Sequence, residues 1–260
     1  MTQEFVDVQR DGRVAIVSLD RPEALNALSG AMADDLSGAF QEVAADADAW
    51  VLLLRANGDR AFCVGADLKE RASFTLEDFQ ANRKQIKGMF EALRAVPQPV
   101  VVAPFGHALG GGMELVLSAD IVVAAAGTMF GLPEVRVGLV PGGGGTQLLP
   151  RLVGLARAKD LIFRGRRFTA EEGLAMGLLA EVVPPDELDA AALAVARDVC
   201  RSSPTAVREA KKAMDATFGA TLEDGIELEH DAWRVVIATE DRTEGIAAFN
   251  EKRDPDWNNR

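Results

Sequence analysis

The chain has little of what metal binding and covalent catalysis most often use. Its 260 residues include two histidines and two cysteines, Cys63 and Cys200, which form neither a metal-ligand cluster nor a disulfide framework. It has no run of about 18 apolar residues, so a membrane-spanning helix is not expected. Positive charge is in deficit: 28 Lys and Arg stand against 40 Asp and Glu, a net charge of −12. That balance argues against general affinity for nucleic acid or an anionic membrane, but a small anionic ligand responds to local charge. The first residues, MTQEFVDVQRDG, do not follow a basic region with an apolar core, so no secretory signal is expected and the cytoplasm is the expected compartment.

What is present is ordinary for a globular protein, 48% apolar and 26% charged residues, in a chain long enough to bury a substantial core. VAIVSL (14–19), VLLLRA (51–56), VVVAPF (100–105) and IVVAAA (121–126) read as strands. Between them lie helical spacings. Ser29 can cap a helix through Met32, Leu36, Phe40 and Val43, and residues 77–95 carry Phe79, Ile86, Phe90 and Leu93. Strands alternating with helices predict an α/β fold with largely parallel sheets. After about residue 190 strands disappear and the pattern turns helical, with Pro204 at a helix start. The division expected is an α/β core over 1–200 and a helical region over 201–260, too small to bury its own apolar faces.

Two glycine clusters stand out: GHALGGGMEL (106–115) with Glu114, and PEVRVGLVPGGGGTQ (133–147) with Glu134. Neither ends in the Gly-Lys-Ser/Thr of a phosphate-binding P-loop, and neither has the GxGxxG spacing of a dinucleotide fold. The first N–H groups of a helix lack intrahelical partners, and glycine lets a ligand approach them. A glycine turn before a helix can therefore hold a developing oxyanion if a second donor lies opposite; it can equally serve only close strand–helix packing. A second such turn lies in RAFCVGADLKE (60–70), around Gly65-Ala66.

Read together, RPEALNAL (21–28), AFCVGADLKE (61–70), HALGGGMELVLSADIVVAA (107–125), FGLPEVRVGLVPGGGGTQLLPRLVG (130–154), FTAEEGLAMGLLAEVV (168–183) and EGIAAFNEKRDPDW (244–257) resemble the crotonase superfamily of enoyl-CoA hydratases and isomerases. The resemblance spans almost the whole chain. It implies a spiral of ββα turns forming two sheets, followed by a helical region that assembles homotrimers or dimers of trimers. It also implies an acyl-CoA substrate, no metal or redox cofactor, and coenzyme A as part of the substrate rather than a bound cofactor.

By motif position the resemblance places an oxyanion hole on the backbone N–H groups of Ala66 and Gly111. It gives Glu114 the role of activating water for attack on the β-carbon of a trans-2-enoyl-CoA, and Glu134 that of protonating the α-carbon. Isomerases, dehydratases of specialised hydroxyacyl-CoAs and a non-catalytic acyl-CoA binder are the alternatives. CoA contacts are implied for Arg60 and Lys69, for the backbone around Ala24, Val64 and Leu68, and for Phe249 and Lys252 from a neighbouring subunit. Asp67, Pro133 and Gly142 complete the implied binding set, and Leu68, Phe74, Leu76, Pro133 and Val137 are pocket-lining candidates. PFGHALGG departs from the family's usual pattern at Phe105 and His107, which alters local pocket shape. His107 reads as a structural group and Cys63 as a small hydrophobe. Arg83, Lys84, Lys87 and Arg94, mixed with Glu77, Asp78 and Glu91, read as a solvated helix face rather than an RNA-binding one.

Overall fold

The apolar runs become strands whose two faces are both covered. The computed structural model describes residues 4–260. Strand β1 (Val6–Asp11) turns back as β2 (Val14–Leu19), antiparallel to it. Helix α1 (Gly30–Ala45) then crosses to β3 (Val51–Ala56), parallel to β2 with Ile16 opposite Leu53. Helices α2 (Leu68–Arg71) and α3 (Leu76–Arg94) precede β4 (Val100–Val102), and β5 (His107–Leu109) leads into α4 (Gly111–Leu117). Next come β6 (Ile121–Ala125), β7 (Met129–Gly131), α5 (Gly145–Val153), α6 (Leu155–Phe163), β8 (Arg167–Thr169), α7 (Ala170–Ala175), β9 (Glu181–Val183) and α8 (Leu188–Val199). Three helices close the chain: α9 (Pro204–Asp215), α10 (Leu222–Ile237) and α11 (Glu240–Glu251).

One sheet has the order β1-β2-β3-β4-β6-β9, parallel apart from its first pair, and the other the order β5-β7-β8. Side chains alternate across the large sheet with period two. Ala15, Val17, Leu52, Leu54, Val100 and Val102 pack toward the cluster containing Phe40 and Phe90 of α1 and α3. Val14, Ile16, Val51, Leu53, Val101 and Val123 pack beneath Leu188, Ala192 and Ala196 of α8. Burial on both faces is why these strands are continuously apolar. In α1 the positions Met32, Leu36 and Phe40 are completely buried, each such side chain contributing roughly 1.5–3 kcal/mol. Ser29 caps that helix through Met32 N–H at 3.2 Å.

The structure adjusts some expected boundaries. The strand expected over 100–105 ends at Val102: Ala103 N–H still binds the Leu54 carbonyl at 3.0 Å, but Pro104 has no N–H to continue the ladder; β6 ends at Ala125. The third helix starts at Leu76, where Thr75 and Asp78 form a reciprocal cap. β1, whose VDVQRD is largely polar and little buried, gives no apolar run, and the strands β5, β7, β8 and β9 are only three residues long. After α8, buried residues become few: Pro204 in α9, none in α10, Asp241 and Ala248 in α11.

Candidate active site

The two sheets deliver four functional groups to one cavity. In the small sheet β5 and β7 run parallel with Leu109 opposite Gly131, so both chains leave at the same edge. Past β5 comes the glycine turn into α4; past β7 come Leu132, Pro133 and Glu134. Gly110 N–H binds the Gly131 carbonyl at 2.9 Å and fixes the two exits together. Only glycine fits at the next turn of the chain, because a Cβ on Gly112 would stand 2.1 Å from the Cys63 carbonyl oxygen. That close approach seats α4 directly on the loop carrying Ala66.

The same packing frees two backbone donors. Leu28 bridges Ala66 in parallel fashion: its N–H binds Gly65 O at 2.8 Å and its carbonyl accepts from Asp67 N–H at 3.0 Å. A strand that bonds through residues 65 and 67 turns the N–H of residue 66 to the opposite side. Gly111 is the first residue of α4, where an N–H has no intrahelical acceptor. Neither N–H has a partner among the described residues. They lie close together: a Cβ on Gly111 would stand 4.0 Å from Ala66 N, and one on Gly65, held at φ +90°, 3.0 Å from Gly111 N.

Glu114 rises from α4 one turn after Gly111 and is 3% exposed. Its Oε1 accepts from Gly143 N–H at 2.6 Å and from Gly145 N–H at 2.8 Å. The second glycine cluster is therefore a carboxylate holder formed at the start of α5, and Oε2 keeps no partner among the described residues. Burial raises the Glu114 pKa, against the opposing pull of the Gly145 and Gly143 donors. Glu134 is half-buried and its Oε2 has no hydrogen-bond partner among the described residues. Burial first, and the neighbouring Glu114 after it, push its pKa up to about 7.

The cavity measures about 590 Å³. Ala66, Gly111, Glu114 and Glu134 line it, as do Val64, Leu68, Pro133, Val137 and Gly142 of the expected binding set. Other expected residues sit elsewhere in this chain. Asp67 is buried with its carboxylate on Lys69 N–H and Glu70 N–H as the cap of α2 and on Arg21 at 2.7 Å, so its side chain is taken up by α2 and Arg21. Arg60 is exposed and reaches the Pro22 carbonyl at 3.4 Å, beside the turn that holds Ala24. Lys69 is exposed on α2. Phe249 is 84% exposed, and Lys252 is the left-handed cap of α11. Phe74 stacks edge-on with Phe79 at 5.4 Å and Leu76 is 76% exposed; neither lines the cavity. Cys63 is buried with its thiol pushed up to about 12, a protonated packing group. His107 lies in β5, where its carbonyl accepts from Cys63 N–H at 3.1 Å.

Sequence reasoning passed over one wall. Arg83, read there as part of a solvated face, lines the cavity together with Arg71, Ile86 and Phe90. Arg94 donates to the Gly143 carbonyl at 2.7 Å and so braces the loop that holds Glu114. Residues 90 and 94 lie seven and eleven positions after 83, each within about 20° of it around a helix, and that stripe was the available signal. Lys87, by contrast, pairs with Glu91 at 3.1 Å in solvent.

The family model for enoyl-CoA hydratase/isomerase matches residues 9–260. A probable enoyl-CoA hydratase of Mycobacterium tuberculosis is 40% identical over 260 residues, the full length of both chains. An enoyl-CoA isomerase/hydratase of Zymoseptoria tritici is 38% identical across 96% of this chain and 85% of its own. The crystal structure of enoyl-CoA hydratase from Bacillus anthracis superposes with a TM-score of 0.97 at 39% identity, covering 99% of this chain and 100% of that one. Sequence and architecture agree over nearly every residue, and the chain belongs to the enoyl-CoA hydratase/isomerase family of the crotonase superfamily.

Proposed function

We propose that the protein is an enoyl-CoA hydratase, adding water syn across a trans-2-enoyl-CoA to give a 3-hydroxyacyl-CoA. The observation that carries this reading is the convergence of two carboxyl groups and two unpartnered backbone N–H groups on one cavity. The thioester oxygen is taken by Ala66 N–H and Gly111 N–H, which hold the enolate formed when water attacks. Loss of one such donor typically raises the barrier by about 3–4 kcal/mol. Glu114, with Oε1 fixed by the glycine loop, presents Oε2 to the water and takes its proton as oxygen bonds to the β-carbon. Glu134, protonated near neutral pH, delivers its proton to the α-carbon. The two carboxyls titrate as a pair.

CoA is read by the backbone around Ala24, Val64 and Leu68 and by the Arg60 and Lys69 cations. Phe249 and Lys252 come from a neighbouring copy in a homotrimer or a dimer of trimers.

The test is hydration of crotonyl-CoA, followed as loss of its enone absorbance. Glu114→Gln and Glu134→Gln are each expected to lower kcat by roughly 10²–10⁴-fold with unchanged circular dichroism. Failure of the wild type on every short and medium enoyl-CoA would sink the reading. The isomerase in a relative's name gives a second reading, double-bond migration by one carboxyl group. Under that reading Glu114→Gln keeps its activity.

A further inference from the structure

The cavity wall formed by α2 and α3 is apolar except at two points. Leu68, Phe79, Ile86 and Phe90 line it together with Arg71 and Arg83. Arg71 is held in place: its Nε and Nη2 donate to Asn82 Oδ1 at 3.1 and 2.8 Å. Asn82 is itself 4% exposed, and its Nδ2 has no hydrogen-bond partner among the described residues. A buried amide thus orients an arginine that keeps further donors free for the cavity.

Neither cation forms a direct ion pair among the described residues, although Glu70 and Asp67 stand near Arg71. Glu70 accepts from Gly30 N–H at 3.2 Å, and Asp67 pairs with Arg21 while capping α2. Arg83 lies close enough to Arg71 for the two charges to repel. Two cations on an apolar wall, neither in a direct ion pair, leave donors free for an anionic ligand.

Their place fixes which part of a substrate would meet them. Arg83 Nη1 is 3.3 Å from where a Gly142 Cβ would stand, and the next residue, Gly143, donates its N–H to Glu114. Arg83 therefore stands beside the loop that holds the carboxyl group assigned to the β-carbon, the acyl side of the thioester under that reading; Arg71 lines the same cavity, and Ala24 and Arg60 do not. The protein carries a net charge of −12 and two carboxyl groups in this cavity, so an anionic acyl tail would be repelled without local cations.

We propose that the acyl group ends in a carboxylate: the substrate class is the CoA thioester of a short 2-enedioic acid, its free carboxylate bound by Arg71 and Arg83. This rests on the hydratase reading for the chemistry, in which water adds across the double bond and the distal carboxylate is unchanged. Arg71 is the fixed donor and Arg83, on the exposed side of α3, closes over the tail.

Binding of unreactive saturated thioesters separates this proposal from the hydratase reading. Glutaryl-CoA and adipyl-CoA are compared by calorimetry with valeryl-CoA and hexanoyl-CoA on the full-length protein. At least one diacid thioester is expected to bind about tenfold or more tightly than its monoacid counterpart, about 1.4 kcal/mol. Arg83→Gln and Arg71→Gln should abolish that preference while leaving monoacid affinity unchanged; Gln at 71 keeps a donor for Asn82. Equal or tighter binding of the monoacids overturns the proposal. So does an equal loss for both classes in the variants, which would mean that the arginines read the CoA phosphates. Absence of binding by all four thioesters overturns it as well. Crotonyl-CoA hydration, measured separately, reports on the hydratase reading alone.

Discussion

Glu114 and Glu134 are chemically identical, and their surroundings separate them. Glu114 Oε1 receives two backbone donors, whereas Glu134 has a buried oxygen with none. An unpartnered buried carboxyl favours its neutral form, the form an acid catalyst needs. The same feature has a stability cost with a defined sign. Glu134 titrates at about 7 in the folded protein against 4.5 for the free group, so between those values the folded state keeps a proton that the unfolded state has released. Its stabilising contribution is complete below about pH 4.5 and is lost as pH rises through 7. Glu134→Gln removes that dependence. Thermal unfolding at fixed ionic strength should show the variant gaining on the wild type from pH 5 to pH 8, by roughly 1–2 kcal/mol after discounting for partial exposure. A gap that stays constant with pH would show that Glu134 does not titrate in this window.

At the scale of elements, the site is an agreement among short pieces: the turn before α4, the turn after β7 and the loop before α5. Arg94 ties the last of these to α3 through the Gly143 carbonyl. It touches no reacting atom and acts by positioning. Arg94→Met should lower kcat for crotonyl-CoA by about tenfold with KM little changed. The acid limb of the kcat profile should move to higher pH, because Glu114 then loses well-aligned donors that favour its anion. Arg94→Lys should recover part of the loss, and a variant that changes KM alone would refute the positioning role. The long elements were legible in the sequence because burial writes itself as periodicity: the double-faced strands β2 and β3 and the stripe of α1 are examples. The Ala66 and Gly111 donors required the family resemblance, since a free N–H leaves no side-chain signature. The three-residue strands β5, β7 and β8 were invisible, as partners distant in sequence define them. The carboxylate-holding use of the PGGGGT loop and the cavity-facing placement of Arg83 were missed for a related reason. Spacing gives the face of a helix but not what lies opposite it.

For the whole molecule, the unfinished surface is the helical end. Met214, Phe218, Leu222 and Trp233 are 66%, 63%, 75% and 62% exposed, and α10 buries no residue within its own chain. Large exposed apolar surface of this kind marks an interaction site. The chain's end is nevertheless tied down: Trp257 Nε1 donates to the Arg201 carbonyl at 2.8 Å, and Asn258 N–H to Asp241 at 2.8 Å. An ordered helical region with an uncovered face suits assembly better than disorder, in keeping with the proposed trimer. Light scattering should give a mass three or six times the 27.7 kDa of one chain. Leu222→Glu combined with Trp233→Glu places charge on the exposed face without disturbing the core, and should reduce that mass toward one chain while leaving circular dichroism intact. If Phe249 and Lys252 complete a neighbour's CoA site, the dissociated variant will also raise KM for crotonyl-CoA, because neither residue lines the cavity of its own chain. Phe249→Ala, which leaves the α10 face untouched, should then raise KM with the assembly still whole. A dissociated variant with unchanged KM would confine the helical region to assembly and leave the CoA site to a single chain.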